Sequence, residues 1–148
     1  VLMFSGIFGR ILGGKLGDIY GALPGYMMMS FGQTISVFWF PFLDSIFALY
    51  ALAIFFGFTY SGVMSAILVC ARTMVPPSYA ARMMSITAFF GWGGMGMGGF
   101  VGGYLFDVQG NYFWSFYFAT MVGITNLGIL GLLALRIQQA RVREEVFS

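Results

Sequence analysis

The charged residues of this chain are so few, and so placed, that four long stretches carry none. No Asp, Glu, Lys or Arg lies between Asp18 and Asp44, Asp44 and Arg72, Arg82 and Asp107, or Asp107 and Arg136. Each gap exceeds the roughly 20 residues that a helix rising about 1.5 Å per residue needs to cross about 30 Å of hydrocarbon. The chain has 148 residues, 59% of them hydrophobic and 8% charged. A water-soluble domain, about a quarter of it charged, could not bury that much apolar surface. The expected fold is an all-α integral membrane protein, a polytopic bundle of transmembrane helices.

Full spans are expected over about 26–43, 46–71, 83–106 and 113–135. An apolar segment, 1–17, precedes them and carries Arg10 and Lys15. It starts without an initiator Met and reads as a helix cut partway along, so the chain is expected to be a fragment of a longer polypeptide. It lacks the basic n-region of a signal peptide. Residues 138–148 are polar and expected to form a cytoplasmic tail. On this map Lys15, Arg72, Arg82, Arg136, Arg141 and Arg143 fall on one side, whereas the opposite turns hold Asp44 and Asp107 and no basic residue. The positive-inside rule makes the basic side, and the C-terminus with it, cytoplasmic. Aromatic residues at the outer ends, Trp39, Phe40, Phe42, Tyr104, Phe106, Tyr112, Phe113 and Trp114, fit anchors at headgroup level. The plasma membrane is the expected location.

Several functions are disfavoured by composition. There is no His and a single Cys70, so an internal disulfide is impossible and the commonest metal ligand and general base are missing. The spans contain no carboxylate pair and no Ser or Cys beside a base, which argues against a membrane enzyme. A net charge of +2 is too small to suggest nucleic acid. The Met27–Met29 and Met83–Met84 clusters suit packing better than a thioether metal path, which needs ligands converging at one depth. No cofactor and no metal are expected.

Residues 91–103 read GWGGMGMGGFVGG and contain the letters of a G-x-G-x-x-G nucleotide fingerprint. That fingerprint needs a strand before it, an amphipathic helix after it and an acidic ribose ligand about 20 residues on. None of these is present. The glycines instead stand four apart, Gly94/Gly98, Gly98/Gly102 and Gly99/Gly103, as on the close-packing face of a transmembrane helix. Gly98 and Gly102 are expected to let a neighbouring backbone come near and to bend as the protein changes state.

Three stretches resemble one known family. GKLGDIYG, Gly14 to Gly21, looks like the cytoplasmic-loop signature G-x-L-x-D-x-x-G of the major facilitator superfamily. VPPSYAARMMSI is similar to the inner loop leading into that family's eleventh helix. GGYLFDVQGNYFWSFYF, from Gly102, resembles the G-x-L-x-D-x-x-G-x-Y pattern that closes it. The signature's usual basic residues are replaced here by Ile19 and Ala22, a degeneration common in its second copy. The resemblance covers nearly the whole chain and implies five helices of the C-terminal half, eight to twelve, the first one truncated. The missing N-terminal half would then belong to the same polypeptide.

What the resemblance implies is a secondary or facilitative carrier, working by alternating access around a midplane site. Arg10, eight positions before Asp18 and so about 12 Å deeper at helical rise, lies well inside the hydrocarbon. A charge there costs at least about 2.5 kcal/mol and is expected to face a wet cavity or a partner. The candidates are an anionic substrate, an acid in the missing half, or snorkelling to the interface. Its setting resembles that of the eighth-helix arginine of monocarboxylate-transporter-like members, implicated there in binding the substrate carboxylate. Tyr60, Ser61 and Trp92 are further candidate substrate contacts. Asp18, with Gly14 and Gly21, is a candidate latch onto the positive end of a helix in the other half, or a solvated turn residue. Gln33 and Asn126 are expected to bond between helices. The expected cargo is a small organic anion such as a monocarboxylate, with symport requiring an acid outside these spans. The alternatives are a carrier of another substrate class and a non-transporting helical scaffold or complex subunit, which the glycine faces would serve equally well.

Overall fold

The computed structural model describes residues 2–147, with the side chains of 5–140, 142 and 143. Five α-helices follow one another: α1 (Leu2–Tyr20), α2 (Ala22–Trp39), α3 (Ile46–Thr73), α4 (Pro77–Gln109) and α5 (Phe113–Phe147), with a 3-10 turn at Phe40–Phe42 after α2. Among the described residues there is no strand.

Local chemistry sets each break. Gly21 alone separates α1 from α2, at φ +96, a backbone conformation that side chains with a Cβ rarely adopt. The last glycine of GKLGDIYG therefore makes the turn, and the loop expected over 18–25 shrinks to one residue. Pro41 lies in the 3-10 turn, which ends α2. Pro76 precedes α4 and Pro77 occupies its first turn, where a missing N–H costs nothing, so α4 starts at Pro77 rather than near 83. It stops at Gly110, φ 70, whose N–H donates to the Phe106 carbonyl. Asn111 Oδ1 then accepts from the Phe113 N–H at 3.1 Å and starts α5. That helix runs on to Phe147, through the segment expected to be a separate tail, because RIQQARVREEVF contains no Gly or Pro and is rich in helix formers.

Glycines hold α1 against α3. A Cβ added at Gly9 would collide with the Phe58 carbonyl, and one at Gly13 would lie 2.9 Å from Gly62 Cα. Position 9 thus meets 58 and 13 meets 62, which makes α1 and α3 parallel. Gly62 also faces Met29, and Gly32 faces Thr59, so α2 and α3 are antiparallel. Tyr26, Met29, Val63, Ala66 and Leu130 form the core where α2, α3 and α5 meet. The alternation carries Lys15, Arg72, Arg82 and Arg136 to one end of the bundle and Asp44 and Asp107 to the other. The second end is aromatic: Phe40 stacks on Phe116 at 5.4 Å and Phe106 on Tyr112 at 4.3 Å.

Polar side chains inside the bundle are satisfied locally or across helices. Thr34, Ser36 and Thr59 donate to carbonyls one turn back, at 2.8, 2.7 and 3.1 Å. Asn126 Nδ2 donates to Ser30 Oγ at 2.9 Å and, more weakly, to the Tyr26 hydroxyl at 3.5 Å, tying α5 to α2.

The outer surface is apolar, with Phe47 85% and Phe100 77% exposed. Such side chains suit lipid, which is as apolar as they are. By length and composition Ile46–Thr73 and Phe113–Ala140 qualify as spans, each with mean hydropathy 1.9. The other helices are diluted by the charges of α1 and by the Gly, Ser, Thr and Gln of α2 and α4.

The close packing expected at the glycine run is not made by any of the described residues. A Cβ built at Gly94, Gly98, Gly99, Gly102 or Gly103 meets nothing within 4 Å, and residues 89–100 are all exposed. Helix neighbours bond to the run at two points, the Tyr60 hydroxyl to Met95 Sδ at 3.5 Å and the Ser115 hydroxyl to the Gly102 carbonyl at 2.9 Å, and between them the described residues leave the glycine face uncovered. Within the described residues, backbones approach through the glycines of α1, α2 and α3.

Candidate substrate cavity

Gly9 presses α1 onto α3, and its neighbour Arg10 is turned about 100° away from that contact by helical geometry. Arg10 emerges where α1, α3 and α4 diverge, and two cavities open beside it. One, of about 430 Å³, is bounded by α1, α3 and α4 and lined by Arg10, Tyr60, Ser65, Thr87, Trp92 and Met95 among others. The other, of about 510 Å³, lies between α1 and α3 and is lined by Arg10, Tyr60, Ser61, Gly6, Phe56 and Gly57 among others. Both volumes fall in the roughly 300–1,000 Å³ range of small-molecule sites. Arg10 and Tyr60 line both.

The antiparallel register of α3 and α4 produces this arrangement. Tyr60, Met64 and Leu68 recur every fourth residue on one face of α3, opposite Met95, Gly91 and Ala88 on α4. Tyr60 stands near the centre of the 28-residue α3 and Trp92 near that of the 33-residue α4. The site is therefore at mid-height of both helices. The Tyr60 ring stacks on Phe56 at 5.7 Å, and its hydroxyl donates to Met95 Sδ at 3.5 Å, joining α3 to α4. Ser65 Oγ donates to the Ser61 carbonyl at 3.3 Å.

Electrostatically the site is simple. Arg10 is the charged side chain of both linings, and no carboxylate is among them. A guanidinium offers a planar fork of donors suited to a carboxylate. Among the described residues no group of three or more His, Cys, Asp or Glu could hold a metal ion.

Of the residues singled out in the sequence, Arg10, Tyr60, Ser61 and Trp92 come together around these two cavities, although three helices supply them. Asp18, Gly14 and Gly21 do not join them. Gly14 and Asp18 lie in the last two turns of α1 and Gly21 at the turn that follows, with Asp18 exposed and nothing within 4 Å of a Cβ at Gly14. Gly98 and Gly102 lie further along α4 than the cavity-lining Gly91, Trp92 and Met95. Ser65, Thr87, Met64 and Met95 are cavity residues that the sequence did not single out. For Ser65 a signal existed, since it follows Ser61 by one helical turn on the same face.

A helical membrane bundle with a cavity at mid-height, lined by one cation and neutral polar groups, has the design of a solute carrier. The family model of the Major Facilitator Superfamily matches residues 1–146, and the chain belongs to that superfamily. It is thus an integral membrane protein of a transporter family, not of an enzyme family, and its partners are the bilayer and a small solute. No curated protein and no solved structure matches the chain.

Proposed function

We propose that this chain forms helices eight to twelve, the C-terminal half, of a carrier for small organic anions, monocarboxylates among them. Transport proceeds by alternating access, with the substrate carboxylate on Arg10 and with Tyr60, Ser61 and Trp92 around its body. The observation that supports this reading most is the convergence of those four side chains, from three helices, on two cavities sharing Arg10 and Tyr60. A cation exposed at mid-height without a carboxylate in either lining is a standing cost in a bilayer, and an anion offsets it. Substrate bound there shifts the balance of inward and outward states only through its differential affinity for them. The basic end of the bundle faces the cytoplasm, with the C-terminus, and the membrane is the plasma membrane. Asp18, beside the turn made by Gly21, latches to a helix end of the other half in one state, while the bare run containing Gly98 and Gly102 lies against that half in another. If transport is symport, the titrating acid is outside the two cavities, since neither contains one.

The test is uptake of labelled lactate by the full-length carrier in liposomes. Saturable uptake that is lost in Arg10→Gln, with expression and thermal stability in detergent retained, is the expected result. Undiminished uptake by that variant removes Arg10 from the site. The bare glycine face of α4 favours a second reading, a scaffold subunit, and absence of uptake of any anion by the wild-type protein selects it.

A further inference from the structure

Resting on the reading of Arg10 as the anion-binding residue, we infer that the cavity between α1, α3 and α4 selects a monoanion with an aromatic-sized apolar body. Short hydroxy acids and dicarboxylates are both poor fits.

Charge decides the first half. Arg10 is the cation of the lining, and no second cation stands among the described residues that bound either cavity. One carboxylate is matched by it. A second would displace water from a mostly apolar wall with no cation to pair with, which costs more than leaving it in solvent.

Size and surface decide the second half. A cavity of about 430 Å³ equals the share of roughly 14 liquid water molecules at about 30 Å³ each. Lactate, with six heavy atoms, leaves most of that space to water, whereas 3-phenylpropanoate, with eleven, displaces nearly twice as much of it. Beyond Arg10 the wall is mostly apolar: Met64, Ile67, Leu68, Trp92 and Met95. Trp92 is 72% exposed and presents a large free ring, and thioethers such as Met64 and Met95 adapt to aromatic edges and faces. Two of the three hydroxyls of this lining, those of Tyr60 and Ser65, are committed. The Tyr60 hydroxyl proton goes to Met95 Sδ at 3.5 Å and that of Ser65 to the Ser61 carbonyl at 3.3 Å, so neither is free to donate to a hydroxyl of the substrate. Each buried methylene is worth roughly fourfold in affinity, and the difference between the two substrates spans several such groups.

The experiment measures saturable uptake, above that of protein-free liposomes, of labelled 3-phenylpropanoate and labelled lactate by the full-length carrier. Succinate and the neutral 3-phenylpropanol serve as competitors. A KM for phenylpropanoate at least about tenfold below that for lactate is expected, with succinate and phenylpropanol competing weakly. Trp92→Ala and, independently, Met95→Ser should narrow the KM ratio, so the result does not depend on one variant folding. A ratio near one, with both uptakes still lost in Arg10→Gln, overturns the selection for an apolar body and leaves anion carriage standing. Strong competition by succinate overturns the single-charge argument. Uptake of both acids that ignores Arg10→Gln overturns the underlying reading, and the inference with it.

Discussion

Arg10 shows how one residue can be legible in sequence while its surroundings are not. Its cost at depth in hydrocarbon marks it from the chain alone, but that Tyr60 and Trp92 share a cavity with it depends on how far α3 slides along α4. Hydrogen bonds to a charged group contribute about 1.5–3 kcal/mol. Arg10→Gln is therefore expected to lower kcat/KM for a carboxylate by roughly 10- to 100-fold, and Arg10→Lys by less, because the charge survives without the fork. Initial-rate uptake in liposomes measures both. Asn126 is the corresponding structural case. Its bond to Ser30 at 2.9 Å is of a kind worth about 0.6 to 2 kcal/mol in membranes. Asn126→Leu should lower the melting temperature in detergent, and Ser30→Ala should add little on top of it. A full additive loss in that double-mutant cycle would mean that the two do not interact.

The helices divide by how their glycines are used. Gly9 and Gly13 stand four apart on α1, in the same pattern as Gly94, Gly98 and Gly102 on α4. The first pair meets the backbone of α3, whereas the second set meets open space. Gly9→Val or Gly13→Val should abolish recovery of folded protein, because the opposing atoms are main chain and cannot move aside. Gly98→Ala should leave yield and thermal stability unchanged. Size-exclusion profiles of the detergent-solubilised full-length protein distinguish the two, and aggregation of Gly98→Ala would mean that the face is tightly packed in every state rather than met in one. The break between α1 and α2 belongs here too, since Gly21 at φ +96 makes a one-residue turn that Gly21→Val would strain. A glycine at that position is plain in the sequence, but nothing around it signals that the loop is so short.

The bundle as a whole is held by α3, which contacts α1, α2 and α4, while α5 is attached through α2 and α4. Helix alternation carries the basic residues to one end and the two aspartates of the opposite turns to the other. Cysteine labelling tests that polarity in the membrane. In a Cys70→Ser background, which removes the buried native thiol, cysteines at positions 107 and 143 should react with an impermeant thiol reagent from opposite faces, 107 from outside. Labelling of both from one face would break the five-helix alternation.

Chemistry that acts along the chain is legible in the amino-acid sequence alone. The charge-free gaps mark four of the five helices, because a charge in hydrocarbon is expensive wherever it sits. Prolines and glycines mark most of the ends, because their backbone limits are local. The meeting of helices obeys another logic. Lipid offers no hydrophobic drive for helices to associate, so which small-residue face finds a partner depends on shape complementarity summed over whole surfaces. Identical glycine spacings on α1 and α4 could not reveal that, among the described residues, only the first would be covered, nor that Ser65, Thr87 and Met95 would line a cavity with Arg10. Those facts exist only once the five helices take their places against one another.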